Sequence, residues 1–233
     1  MRLSPALRTL LSLVLYAGIY YLIFRDARSI AFLLAVIIIH ESGHFIAMRS
    51  FGYSNVRMLF VPMFGAFVSG QPAAVDPGKK MIVLFSGPLP GIILGMISVL
   101  VYTVTHQYFF YLLALMFIFL NVFNLLPVTP MDGGQMLDVL FPSYSKWVQT
   151  LFIILSSLAL GIISYWSRNY LLIVLIFLLW FRLVVLWRTD PYADKKITEP
   201  HKELSDFQRL IYLIIWLAFI ILPMITLFRI ESQ

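Results

Sequence analysis

Cysteine is absent from all 233 residues. That one absence excludes disulfides, thiolate metal ligands and cysteine nucleophiles, so any metal has to be held by histidine and carboxylate. Charge is scarce as well: only 12% of residues are Asp, Glu, Lys or Arg, roughly half the share of an ordinary soluble domain. The net charge is +6, but the basic residues stand singly or in pairs between apolar runs. No nucleic-acid-binding patch can be built from them, and they read as membrane-topology signals. There is also no internal repeat, no low-complexity tract and no extramembrane stretch long enough for a folded accessory domain.

What the chain has in excess is apolar surface, at 61% of residues. Seven runs approach or exceed the roughly 20 residues that cross a bilayer. They cover residues 7–24, 30–48, 81–104, 108–126, 147–166, 170–187 and 207–228. Ser4 is placed to cap the first and Pro5 to open it, and no clear cleavage site follows, so an uncleaved first span is expected. An eighth apolar stretch, Val56 to Gly70, is interrupted by Pro62 and Gly65 and is too short and broken to cross as a helix. It is expected to be a re-entrant hairpin, or else a surface loop. The expected fold is an all-α polytopic membrane protein of about seven transmembrane helices, with a membrane-embedded β-hairpin or re-entrant loop between the second and third.

Seven crossings put twelve Lys and Arg residues, from Arg2 to Arg209, on the side of the N-terminus. Only Arg25, Arg28, Arg168 and Arg229 fall on the other. Positive residues concentrate on cytoplasmic faces, so the N-terminus is expected inside. The second span then runs inward and ends in His40-Glu41-Ser42-Gly43-His44. Histidines four apart share one helical face and can grip one metal ion, while Glu41 beside them can take a proton from water without being a ligand. Glu41 is one of four glutamates and the only one within an apolar run, where an unpaired carboxylate costs several kcal/mol. Metal ligation accounts for this placement better than a mutually hydrogen-bonded polar cluster.

A third ligand has to come from elsewhere, and between Arg28 and Arg182 the candidates are Asp76, His106, Asp132 and Asp138. His106 falls in a loop on the opposite face, Asp76 precedes Pro77 in a turn and remains a weaker alternative, and Asp138 reads as a solvated residue beyond the membrane. Asp132 follows the fourth span, which also runs inward, in Asn124-Leu125-Leu126-Pro127-Val128-Thr129-Pro130-Met131-Asp132-Gly133-Gly134. The prolines interrupt the helix and the glycines remove side chains near the carboxylate; a plain helix-ending turn is the alternative.

HExxH followed by NxxPxxxxDG resembles the paired signature of the site-2 protease family of intramembrane zinc metalloproteases, over roughly Ile30 to Asp138. The resemblance implies one Zn²⁺ held by His40, His44 and Asp132, Glu41 as general base, and Asn124 as a substrate-binding residue. It implies a membrane-embedded hairpin matching Val56 to Gly70. It also aligns Ser86-Gly87-Pro88-Leu89-Pro90-Gly91 with the family's GPxxN element, with Gly91 standing where asparagine is usual. Gly87, Gly91 and Gly95 at four-residue spacing predict close helix packing.

On this reading residues 1–29 hold an N-terminal span, 30–138 a catalytic three-helix core with the re-entrant segment 56–70, and 139–233 three C-terminal spans, without the PDZ or CBS domains of many relatives. The expected activity is zinc-dependent hydrolysis of peptide bonds in or near transmembrane segments. Its expected partners are a single-span membrane-protein substrate and the lipid bilayer. A zinc or divalent-metal transporter and an inactive protease-like module that binds membrane segments are the rival readings; the last three spans carry no polar relay, with Arg182 their only charge well inside a span.

Overall fold

The computed structural model describes residues 5–61, 65–72, 76–168, 171–188 and 204–231. Features expected at Arg2, Ser4, Pro62, Tyr170, Lys195, Lys196 and Lys202 lie outside these residues. In chain order the elements are α1 (Pro5–Phe24), α2 (Ala27–Ser50), β1 (Ser54–Val61), β2 (Gly65–Gln71), α3 (Pro77–Ser86), α4 (Pro88–Thr105), α5 (Tyr108–Asn124), α6 (Asp132–Leu140), α7 (Ser145–Ser167), α8 (Leu171–Arg188) and α9 (Asp206–Glu231). They fall into two compact units, Met1–Leu125 with Ser205–Gln233, and Leu126–Leu204.

In the first unit α2 starts where Asp26 caps it, its side chain accepting from Arg28 N at 3.0 Å. It runs three residues earlier and two later than the apolar pattern alone predicts. Its buried positions Val36, His40, His44 and Ala47 form one helical stripe, with Glu41 beside it. The expected hairpin is present as an antiparallel pair in which Met58 faces Val68 and Val61 faces Gly65. The outer edge of β1 is met by α1: Thr9 Oγ1 donates to the Met58 carbonyl at 2.6 Å, and Ser12 Oγ accepts from Phe60 N at 3.1 Å. Two hydroxyls on a helix thus satisfy backbone groups of the strand.

The apolar run 81–104 reads as one helix in sequence but forms two, α3 and α4, meeting at Gly87. Pro88 is the cause, since it has no N–H to continue the ladder and its ring crowds the carbonyl four residues back. The three spaced glycines do permit close packing, each against a different partner. A Cβ on Gly87 would overlap the His44 imidazole, one on Gly91 the Asn121 amide, and one on Gly95 would come within 2.6 Å of Ile118 Cγ1. Below this, Val99, Ala114, Ile118, Val122 and Leu227 make a core shared by α4, α5 and α9.

The second unit consists of α6, α7 and α8. Met136, Leu140 and Ile153 are fully buried in it, and Trp187 Nε1 ties α8 to α7 by donating to Thr150 Oγ1 at 3.0 Å.

Among the described residues, four stretches are long and apolar enough to cross a membrane: Ala27–Ser50, Pro77–Thr105, Ser145–Ser167 and Asp206–Ile230. The chain is an integral membrane protein on this pattern. Two further apolar helices, Leu7–Leu22 and Tyr108–Asn124, are shorter. The second has 17 residues, about 25 Å of helix against a hydrocarbon core of about 30 Å.

Gly43 sets how closely α2 meets the end of α3, because a Cβ there would collide with the Ser86 carbonyl, a backbone group that cannot rotate away. Gly43→Ala is expected to lower stability by about 1–3 kcal/mol. Thermal unfolding in detergent checks this; an unchanged midpoint would mean the two helices separate without cost.

Candidate metal centre

His40 and His44 lie one turn apart on the buried face of α2, with ring centroids 4.9 Å apart. Each ring is held by its Nδ1. His40 Nδ1 lies 2.8 Å from Asn121 Oδ1. The Asn121 amide is itself oriented, because its Nδ2 donates to the Phe117 carbonyl at 2.7 Å, which leaves Oδ1 as the acceptor for the imidazole. His44 Nδ1 lies 2.8 Å from the Val83 carbonyl. That carbonyl belongs to the last turn of α3, next to the break at Gly87 and Pro88.

A carbonyl oxygen can only accept, so both Nδ1 atoms carry a proton, and in the neutral imidazoles each Nε2 bears a lone pair. The two Nε2 atoms stand 3.2 Å apart. Two lone pairs at that distance repel unless a cation joins them. Tetrahedral zinc with Zn–N bonds of about 2.0–2.1 Å would hold its two nitrogens about 3.3–3.4 Å apart. The spacing therefore fits two ligands of one ion, and the Nδ1–H bonds are the kind of support that fixes a ligand's tautomer.

Glu41 is buried next to this pair. Asn124, the last residue of α5, brings its Nδ2 to 3.5 Å from His40 Nε2, at the outer limit of a hydrogen bond. The end of α5 is anchored by Trp216 of α9, whose indole donates to the Leu125 carbonyl at 2.9 Å. Asp132 is the first residue of α6, buried, with its carboxylate in the first turn, where the helix dipole favours negative charge. His40, His44 and Asp132 are each buried and each offers an atom that can ligate a metal. Two imidazoles and a carboxylate without a thiolate are a donor set of catalytic rather than structural zinc sites.

The other candidates have different places. Asp76 caps α3, accepting from Lys79 N at 3.1 Å, which is the turn role its sequence suggests. His106 is exposed and ends α4 in the left-handed conformation. Asp138, expected to be solvated, is half-buried and accepts hydrogen bonds from Ser145 and Gln149. Asn121 and the Val83 carbonyl were not foreseen. An amide in the middle of the apolar run 108–126 was the available sign, since it must find a partner there.

An imidazole pair with a glutamate beside it on one apolar helix is an arrangement used by metal-dependent hydrolases. The model of peptidase family M50 matches residues 28–108 and 101–163, more than half of the chain, and the chain belongs to that family. Among curated relatives, stage IV sporulation protein FB of Bacillus subtilis is 32% identical over 117 residues, covering 47% of this chain and 38% of its own. A zinc metalloprotease of Methanocaldococcus jannaschii is 27% identical over 110 residues, covering 43% and 30%. The matched part thus spans less than two fifths of either relative. The solved site-2 protease of Methanocaldococcus jannaschii shares the fold, with a TM-score of 0.50 over 85% of this chain and 93% of that one at 21% identity. The family resemblance expected from the two motifs is borne out.

Asn121→Leu keeps the branched shape but removes the acceptor that orients His40. Zinc affinity, measured by competition with a chromophoric chelator, is expected to fall about 10–100-fold. Wild-type affinity in this variant would remove Asn121 from the support of the site.

Proposed function

We propose that this chain is an intramembrane zinc metalloendopeptidase that hydrolyses peptide bonds in or near transmembrane segments, with His40, His44 and Asp132 as zinc ligands. The observation that carries the reading is the pair of Nε2 atoms 3.2 Å apart, each ring pinned through Nδ1, with a buried glutamate adjacent. A zinc ion held by these residues would supply Lewis acidity and lower the pKa of a water it binds to about 7.

Glu41 is the proton carrier. Its carboxylate accepts a proton as water attacks the scissile carbonyl and returns it to the leaving amine. Asn124, whose amide lies at the edge of the histidine pair, holds the substrate backbone or the developing oxyanion. A transmembrane segment must unwind to be cut, and its freed backbone groups need partners in the membrane. Because α1 covers the outer edge of β1, an unwound substrate would extend the sheet along β2.

The seven-crossing topology, with the N-terminus and the site on the cytoplasmic side, remains part of this proposal. So does the division into an N-terminal span, the catalytic core 30–138 and three C-terminal spans. A single-span membrane protein is the substrate it favours.

Glu41→Gln separates hydrolysis from metal binding. With purified proteins and a panel of single-span substrates, both forms are expected to hold zinc equally while the variant cleaves at least ~10²–10⁴-fold more slowly. Cleavage at the wild-type rate by Glu41→Gln would overturn the reading. So would metal flux into vesicles that survives the substitution without any cleavage, which is the transporter's signature. Zinc binding with neither cleavage nor flux would mark a binding module instead.

A further inference from the structure

Hydrolysis as described leaves two polar residues of the second unit without a task. Arg182 is the only charge well inside the last three apolar runs, and Gln149 is completely buried in α7. Both converge on Thr129. Gln149 Oε1 accepts from Thr129 N at 2.9 Å and from Thr129 Oγ1 at 3.0 Å, while Arg182 Nε donates to the Thr129 carbonyl. The N–H, hydroxyl and carbonyl of one residue are therefore engaged by two helices.

Gln149 is itself fixed. Its Nε2 donates to Ser145 Oγ at 2.9 Å and to Asp138 Oδ1 at 3.2 Å, and Ser145 Oγ donates to the same carboxylate. With Nε2 committed to these acceptors, Oε1 can point only at Thr129. The network is closed and polar in an apolar setting, where each member that lost its partner would be costly.

Thr129 is three residues before Asp132, and the segment between is tightly tied. Met131 N donates to the Val128 carbonyl at 3.0 Å, and Gln135 Nε2 donates to the Pro130 carbonyl at 3.1 Å. A Cβ on Gly134 would overlap Thr129 N and the Val128 carbonyl carbon, so the first turn of α6 lies directly on the clamped peptide. Displacement of Thr129 must displace the start of α6, and Asp132 with it.

We infer that Gln149 and Arg182 are positioning residues for Asp132, and that α7 and α8 serve the metal centre by holding the Thr129 peptide. This rests on the reading of Asp132 as a ligand. A brace that merely stabilised the helices would weaken folding without acting on the metal through that carboxylate.

The test compares zinc affinity and the visible spectrum of the cobalt-substituted full chain in detergent for Gln149→Leu, Arg182→Met and Arg182→Lys, after circular dichroism has shown wild-type helix content. Gln149→Leu and Arg182→Met are expected to weaken zinc about 10–100-fold and to shift the cobalt band. Arg182→Lys, which keeps a cationic donor, is expected to recover most of the affinity. In an Asp132→Asn background neither substitution should weaken zinc further. Wild-type affinity and spectrum in both variants, or an equal loss with and without Asp132, would overturn the clamp. If Gln149→Leu does not fold, Arg182→Met alone decides. Asp132→Asn with undiminished affinity would instead remove the ligand reading, and the clamp with it.

Discussion

Two imidazole lone pairs facing each other across 3.2 Å inside a membrane helix bundle impose the constraint from which the surrounding packing follows. Each ring has to give its Nδ1 proton to a fixed acceptor, or a change of tautomer would dissolve the pair. One acceptor is a side chain on α5 and the other a carbonyl in the last turn of α3. The break between α3 and α4, a local defect by the standards of helix propensity, adjoins the site, since a Cβ on Gly87 would overlap the His44 ring. Glycine occupies positions 43, 87 and 91 because the backbone of Ser86, the His44 ring and the Asn121 amide fill the space a Cβ would need.

Gly91 and Asn121 explain each other. The asparagine that the family's pattern leads one to expect at position 91 is missing, and the Asn121 amide lies where a side chain on residue 91 would begin. An amide is thus supplied from α5, not α4, and it is fully buried with both ends engaged. An asparagine at 91 would require Asn121 to leave, and His40 would lose its acceptor.

The parts of this centre that depend on spacing along one helix were legible in sequence. The four-residue separation of His40 and His44, and a glutamate beside them in an apolar run, follow from helical periodicity and the cost of buried charge. The close approach of α4 through Gly87, Gly91 and Gly95 was legible for the same reason. The identity of each glycine's partner was not, because helical spacing gives a residue's face but not which residue of another helix meets it. Asn121 was hidden in this way. The split at Gly87 was readable from Pro88 but masked by the continuous apolar run, and the solvated setting expected for Asp138 gave way to Ser145 and Gln149 across the turn between α6 and α7. These are long-range or turn-mediated contacts, which hydropathy does not encode.

The central claim is that His40 and His44 present their Nε2 atoms to one zinc ion. X-ray absorption at the zinc edge, on the purified full chain, tests it most directly. The account predicts about one zinc per chain, with only nitrogen and oxygen ligands at about 2.0–2.2 Å and the outer-shell scattering of two imidazoles, reduced to one by His44→Ala. A well-folded protein that holds no zinc, or zinc whose spectrum lacks imidazole scattering and is unmoved by that substitution, would contradict it.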